Sequence, residues 1–142
     1  MGNNETRYDF ASEEWVAIAR DYLEEQTRDV DLSGISVSFN EVFSDAPSHL
    51  NPNVEGKIGW YIRVADGSLE VRTGILPDPD LRVSCDYETV LPAVRRLSTD
   101  PPLDDAMRQV LTNSIVREGN ENATADLDWM RGLHDVMAVR SN

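Results

Sequence analysis

The hydrophobic pattern of the chain is clearest between Gly56 and Tyr87, where apolar and polar residues alternate. A period of two with one apolar face is typical of β-strands in an antiparallel sheet that is buried on one side. The apolar positions form three groups, which are Trp60, Ile62 and Val64, then Leu69 and Val71, then Leu81, Val83 and Cys85. Asp66 and Gly67 separate the first two groups and predict a tight hairpin turn, because an Asp-Gly pair supplies the positive φ that such a turn needs.

Apolar residues repeat with helical spacing before and after these strands. The predicted helices cover Glu13–Arg28, Tyr87–Leu97, the stripe from Leu103 to Leu111, and Leu127–Val139. One more strand is predicted within Gly34–Phe43, where Ile35, Val37 and Phe39 share a face. The segment Asp45–Glu55 is rich in turn-forming residues and predicts a loop. Ser114–Glu118 fits either the end of the third helix or a short last strand.

This order of elements predicts an α+β fold. Strands in near succession, with helices before and after them, indicate an antiparallel sheet of about five strands with helices packed on one face. A chain of 142 residues is the usual size of one domain. We therefore expect a single domain over residues 12–142, preceded by a flexible polar segment over residues 1–11.

The charge of the chain excludes some classes of partner. It has 26 acidic and 13 basic residues, which gives a formal net charge of −13. Such an acidic protein is not expected to bind nucleic acid, whose phosphates require a basic surface. Without a long apolar run we expect no stable membrane insertion. One cysteine, Cys85, and an N-terminus without the features of a secretory signal predict a cytoplasmic location.

Motifs for catalysis or for cofactor binding are missing from the sequence. There is no Gly-x-Ser-x-Gly elbow and no glycine-rich phosphate loop. His49, His134 and Cys85 do not have the spacing of metal ligands. The sequence therefore predicts no metal ion and no cofactor, and it assigns no catalytic residue.

Several short segments, taken in order and spacing, resemble the sterol carrier protein-2 family over roughly residues 12–139. The segments that carry the resemblance are Trp60–Val64, Asp66-Gly67, Leu69–Val71, Gly74, Asp80–Ser84, Asp86-Tyr87 and Val116–Asn120. The last of them is similar to the final strand of the family, which ends in Gly-Asp or Gly-Asn before a last helix. The N-terminal extension and the loop at 45–55 look like those of small bacterial members. The resemblance implies that Ser114–Glu118 is a strand.

A further implication of the resemblance is a hydrophobic tunnel between sheet and helices that holds sterols, fatty acids or acyl chains. The C-terminal helix can act as its lid in such proteins. Apolar helix faces would line the tunnel and apolar strand residues would form its floor. The candidate ligand-binding residues are Trp15, Ile18, Tyr22, Leu91, Val94, Met107, Val110, Leu111, Met130, Leu133 and Met137 on helices, with Phe39, Trp60 and Ile62 on strands.

Three functions stay open at the level of sequence. The first is a carrier or binding module for a hydrophobic small molecule, such as a fatty acyl chain, a sterol or a terpenoid. The second is a small enzyme acting on a hydrophobic substrate, which requires a buried carboxylate or histidine beside the pocket. The third is a non-catalytic module with a filled core that forms a homodimer or docks on a larger enzyme.

Overall fold

A computed structural model describes residues 6–125 and 127–142 of the chain. Within these ranges, five strands and four α-helices follow one another. Two short 3-10 helices, Ser48–Leu50 and Asp128–Met130, lie in the connections. The main elements are α1 Glu13–Thr27, β1 Val37–Ser44, β2 Ile58–Ala65, β3 Ser68–Thr73, β4 Leu81–Asp86, α2 Tyr87–Val94, α3 Asp105–Ser114, β5 Val116–Gly119 and α4 Leu133–Ala138. Helix α3 ends at Ser114, and β5 begins at Val116. The strand that the resemblance implies for Ser114–Glu118 is therefore confirmed for residues 116–118.

The sheet is mixed, and the prediction of a purely antiparallel sheet is wrong. Its strand order is β3-β2-β1-β4-β5, and β1 pairs with β4 in parallel while the other neighbours are antiparallel. The reason lies in residues 74–80, which cross the sheet instead of folding β4 back against β3. The crossing covers three strand spacings, about 14 Å. Seven residues can reach up to about 23 Å, so this connection is long enough.

Asn40 holds the crossing segment against the sheet. Its side chain is fully buried and lies on the face of β1 opposite to Phe39. Its amide nitrogen donates to the carbonyl oxygens of Trp60 at 2.8 Å and Gly74 at 3.2 Å, and its amide oxygen accepts from the Leu76 N–H at 2.8 Å. A single polar side chain therefore fixes where the chain turns away from β3.

The predicted hairpin between β2 and β3 is confirmed. Asp66 and Gly67 have φ values of 53° and 77°, and Ala65 pairs with Ser68. Positive φ at both central residues is the geometry of the turn that matches the twist of two antiparallel strands.

The helices cover one face of the sheet. Helix α1 packs on β3 and beside α4. It begins at a Ser12 cap whose hydroxyl accepts from the Trp15 N–H at 3.2 Å. Helix α2 continues directly from β4, and the Asp86 carboxylate caps it by accepting from the Thr89 N–H at 3.1 Å. The hydrophobic core lies between these helices and the inner face of the sheet.

The predicted helix over Leu127–Val139 is wrong as a continuous element. Its first part is the 3-10 helix Asp128–Met130, and α4 begins only at Leu133. Between them Gly132 has a φ of +82°, a conformation that breaks a right-handed helix. The hydroxyl of Tyr22 donates to the Arg131 carbonyl at 2.9 Å, and it would also lie 2.9 Å from a Cβ atom at position 132. Helix α2 is also shorter than predicted and ends at Val94.

The two ends of the described chain lie side by side. The Tyr8 N–H donates to the Arg140 carbonyl at 2.8 Å, and the Asn142 N–H donates to the Tyr8 carbonyl at 2.9 Å. Phe10 is buried in the core at 3% exposure. The first five residues of the N-terminal segment that we predict to be flexible lie outside the described residues, as does Asp126.

Candidate ligand-binding site

An apolar cavity of about 230 Å³ lies between the inner face of the sheet and the helices. Strands β1 and β2 form its floor, and α1, α2 and the C-terminal segment that ends in α4 form its walls. Its lining residues are Phe10, Trp15, Phe39, Glu41, Trp60, Val90, Val94, Met130, Leu133, His134 and Met137. An apolar wall with few polar groups is the usual composition of a small-molecule site.

Strand register places the residues of the floor. Side chains alternate along β1, so Phe39 and Glu41 point to the same face. Trp60 on β2 is the direct pairing partner of Glu41, and it therefore lies beside Glu41 on that face. The Trp60 ring makes an edge-on contact with Trp15 at 5.3 Å between centroids and with Phe39 at 6.5 Å. The Glu41 carboxyl therefore lies beside the Trp60 ring in an aromatic part of the lining.

Among the described residues that line this cavity, Glu41 is the one with an acidic side chain. Its Oε1 accepts a hydrogen bond from the Trp60 indole N–H at 2.7 Å. Glu41 as a whole is partly exposed, and it forms part of the cavity wall. Its carboxyl group is nevertheless deeply enclosed by protein atoms. Burial raises the pKa of Glu41 from 4.5 to about 7, and the bond from Trp60 lowers it by less. A carboxyl in this state exchanges its proton close to neutral pH.

His134 is the other titratable residue of the lining. It is exposed, and its Nε2–H donates to the Arg96 carbonyl at 2.6 Å. No lysine or arginine is found among the lining residues that the structure describes. Across all the residues that the structure describes, no group of three or more His, Cys, Asp or Glu residues could hold a metal ion. The chemistry of the cavity therefore depends on apolar contact and on one carboxyl.

The structure places half of the predicted site residues at this cavity. Those that line it are Trp15, Phe39, Trp60, Val94, Met130, Leu133 and Met137. Ile62 and Leu91 are buried in the core beside it, and Ile18 and Tyr22 are partly buried against that core. Met107, Val110 and Leu111 lie on α3 and do not line the cavity. Val110 is 50% exposed to solvent.

Sequence reasoning missed Phe10, Glu41, Val90 and His134 as lining residues. Glu41 is the important omission, and its signal is present in the sequence. Val37, Phe39, Glu41 and Phe43 occupy every second position, so a carboxylate interrupts an otherwise apolar strand face. A break in a consistent pattern often marks a functional or strained position.

A larger cavity, about 630 Å³, lies between the start of α1 and the loop that precedes β2. Exposed polar residues such as Glu13, Asn51 and Asn53 form much of its lining. It does not offer the apolar wall that excludes water from a hydrophobic ligand. We therefore regard the smaller cavity as the candidate site.

Two solved structures resemble the chain over most of its length. A conserved hypothetical protein of Thermus thermophilus, TT1886, described as a possible sterol carrier protein, has a TM-score of 0.54 at 14% identity. The match covers 96% of this chain and 94% of that one. A crystal structure of sterol carrier protein 2 has a TM-score of 0.52 at 14% identity, covering 92% of this chain and 98% of that one. The chain therefore has the sterol carrier protein-2 fold.

No protein-family model and no curated protein sequence matches the chain. The likeness to known proteins therefore concerns the fold. The resemblance seen in the sequence is confirmed for the fold. Among the described residues, no helix combines the length and the apolar character that crossing a membrane requires.

Proposed function

We propose that the chain binds a hydrophobic small molecule in the cavity above β1 and β2. The observation that carries the proposal is the lining, where aromatic rings, methionines and aliphatic side chains surround a single carboxyl. The two structures of the same fold are named for sterol carriage, one as a possibility, which supports this class of ligand. A carrier or binding module needs no further chemistry, because apolar burial alone supplies affinity.

The size of the cavity limits the ligand. A volume of about 230 Å³ equals roughly eight water-sized units of about 30 Å³. A methylene group is of similar size, so a chain of about eight carbons fills the cavity. A sterol, a terpenoid or a long acyl chain requires it to widen, and Met130 and Met137 in its wall are side chains that adapt their shape.

The expected affinity follows from the buried chain. Eight methylene groups at about 0.8 kcal/mol each contribute about 6 kcal/mol. That free energy corresponds to a Kd on the order of tens of micromolar, which is the tightest binding expected because the cost of immobilising the ligand is not subtracted. 1-Octanol is therefore a suitable probe, and isothermal titration calorimetry measures affinities in this range.

A matched pair of valine variants tests the site. Val94→Phe places a ring in the cavity, whereas Val110→Phe makes the same change on exposed α3. We expect 1-octanol to bind wild type and Val110→Phe alike, and to bind Val94→Phe at least about tenfold more weakly. Equal binding to all three proteins, or no binding to wild type, would refute the proposed site. Val94 is only partly buried, so a larger side chain there disturbs the core less than one at Met137, which is 2% exposed.

A second candidate function follows from Glu41. A carboxyl whose pKa lies near 7 inside an apolar cavity suits general acid–base catalysis on a hydrophobic substrate. As a base, Glu41 would take a proton from the carbon beside a carbonyl group and return one from solvent. Incubation of 2-octanone in D₂O, followed by NMR, measures this exchange. Catalysis predicts exchange that Glu41→Gln abolishes, and equal exchange rates for both proteins would exclude it.

A further inference from the structure

We propose that Glu41 is the anchor for the ligand's head group, and that the cavity selects apolar molecules carrying a hydrogen-bond donor, an alcohol or an amine, over carboxylates. The proposal rests on the proposed function and adds to it the chemical class of the ligand. Its basis is the position of one carboxyl in a cavity whose other lining residues, apart from the exposed His134 at its edge, are apolar or aromatic.

The hydrogen bonds of Glu41 leave acceptor positions free. Within the described chain, the Trp60 indole N–H is the donor that reaches its carboxyl, and it occupies Oε1. A carboxylate has about four acceptor positions on two oxygens. Since Glu41 forms part of the cavity wall, the remaining positions are open to a donor group on a bound molecule.

The charges around the cavity disfavour an acidic ligand. Among the lining residues in the described ranges there is no arginine or lysine to pair with a carboxylate head group. Helices α1 and α2 contribute Trp15, Val90 and Val94, which are apolar or uncharged. A carboxylate placed beside an ionised Glu41 would therefore meet a like charge with no compensating cation among the lining residues, an arrangement that disfavours binding.

In the described ranges, two other titratable groups lie near Glu41 or in the lining, and neither supplies a fixed positive charge at the floor. On β4, Cys85 is buried, and burial raises the pKa of its thiol, with a smaller contribution from Glu41. On α4, the exposed imidazole of His134 lies at the edge of the lining. Glu41 is thus the group that meets a ligand at the bottom of the cavity.

The protonation state of Glu41 separates the two donor classes. The pKa of Glu41 is raised to about 7 by burial. Below that pH the neutral carboxyl both donates to and accepts from an alcohol. Above it the carboxylate accepts from an alcohol and forms an ion pair with an alkylammonium group, which stays protonated because amine pKa values lie near 10. Binding of an amine should therefore strengthen as pH rises through 7, whereas binding of an alcohol should change less.

The test compares three probes of equal chain length, 1-octanol, octylamine and octanoate, by calorimetric titration at pH 6 and at pH 8. The proteins are wild type, Glu41→Gln, and a control, Glu118→Gln, which removes an exposed carboxylate on β5. At pH 8 we expect wild type and the control to bind octylamine and 1-octanol at least about tenfold more tightly than octanoate. In Glu41→Gln the affinities for octylamine and octanoate should lie within a few-fold of one another, because neither charged head group then has a charged partner in the cavity.

The outcomes distinguish this proposal from the function on which it rests. If octanoate binds wild type as tightly as octylamine at pH 8, the head-group assignment is wrong while the cavity still binds an apolar chain. The same conclusion follows if the preference for octylamine over octanoate persists in Glu41→Gln. If none of the three probes binds wild type, both proposals fail. The wild-type series alone decides the first point, even if the variant does not fold.

Discussion

The carboxyl of Glu41 should make the stability of the protein depend on pH in a specific direction. In the folded protein burial raises the pKa of Glu41 to about 7, from a value of 4.5 for an exposed glutamic acid. Between these two values the folded protein holds a proton that the unfolded chain has lost. The free energy of unfolding therefore falls as pH rises through this window, and the contribution is gone above pH 7.

The size of the effect follows from the two pKa values. The contribution of Glu41 to the free energy of unfolding decreases by about 2.5 kcal/mol between pH 5 and pH 8. Glu41→Gln keeps the shape of the side chain and an oxygen that can accept from the Trp60 indole, but it does not titrate. The variant should lack this pH-dependent contribution. Its free energy of unfolding, relative to that of wild type, should therefore rise by about 2.5 kcal/mol as the pH is raised from 5 to 8.

Urea unfolding of both proteins at several pH values from 5 to 8 measures this difference. Glu118→Gln is measured alongside to subtract the effect of removing one negative charge from a chain with a net charge of −13. If the free energies of unfolding of Glu41→Gln and wild type differ by the same amount at pH 5 and at pH 8, the carboxyl of Glu41 does not titrate between these pH values. The assignment of Glu41 as a buried carboxyl with a raised pKa would then be wrong.

Three other substitutions test the elements that form the site. Trp60→Phe removes the indole donor that lowers the pKa of Glu41, so that pKa should rise above about 7 in a ¹³C NMR titration; a fall would contradict the assignment. Gly132→Ala should destabilise the protein by about 1–2 kcal/mol in urea, because position 132 has φ +82°. Gly34→Ala, where an added Cβ meets nothing within 4 Å, is the control, and equal losses would refute this reason. Asn40→Leu leaves three backbone partners unpaired and should cost about 3 kcal/mol or more; a loss below about 1 kcal/mol would show that the crossing holds without it.

Local sequence signals were sufficient for elements whose geometry is decided locally. Asp66 and Gly67 specify the hairpin through their own backbone preferences, and the helices predicted to begin at Glu13 and Tyr87 begin at those residues. The parallel pairing of β1 with β4 was not predictable in this way, since alternation has the same period in either orientation. It depends on where residues 74–80 run and on the contacts of Asn40, which are long-range.

The candidate site, too, could be predicted from the sequence only in part. Amphipathic periodicity identifies the apolar face of a helix, but every packed helix has such a face. It therefore could not separate Val94, which lines the cavity, from Val110, which is half exposed. Glu41 was visible as an interruption of the apolar face of β1, and its meaning became clear only when Trp60 was placed beside it.

Intermolecular NOEs between 1-octanol and the methyl groups of the protein test the central proposal most directly, because they report both binding and location. If the cavity is the site, the octyl chain should give NOEs to Val94, Met130 and Leu133, and none to Val110. NOEs confined to α3, or none at concentrations well above the expected Kd, would contradict the assignment of the cavity as a binding site for an apolar ligand.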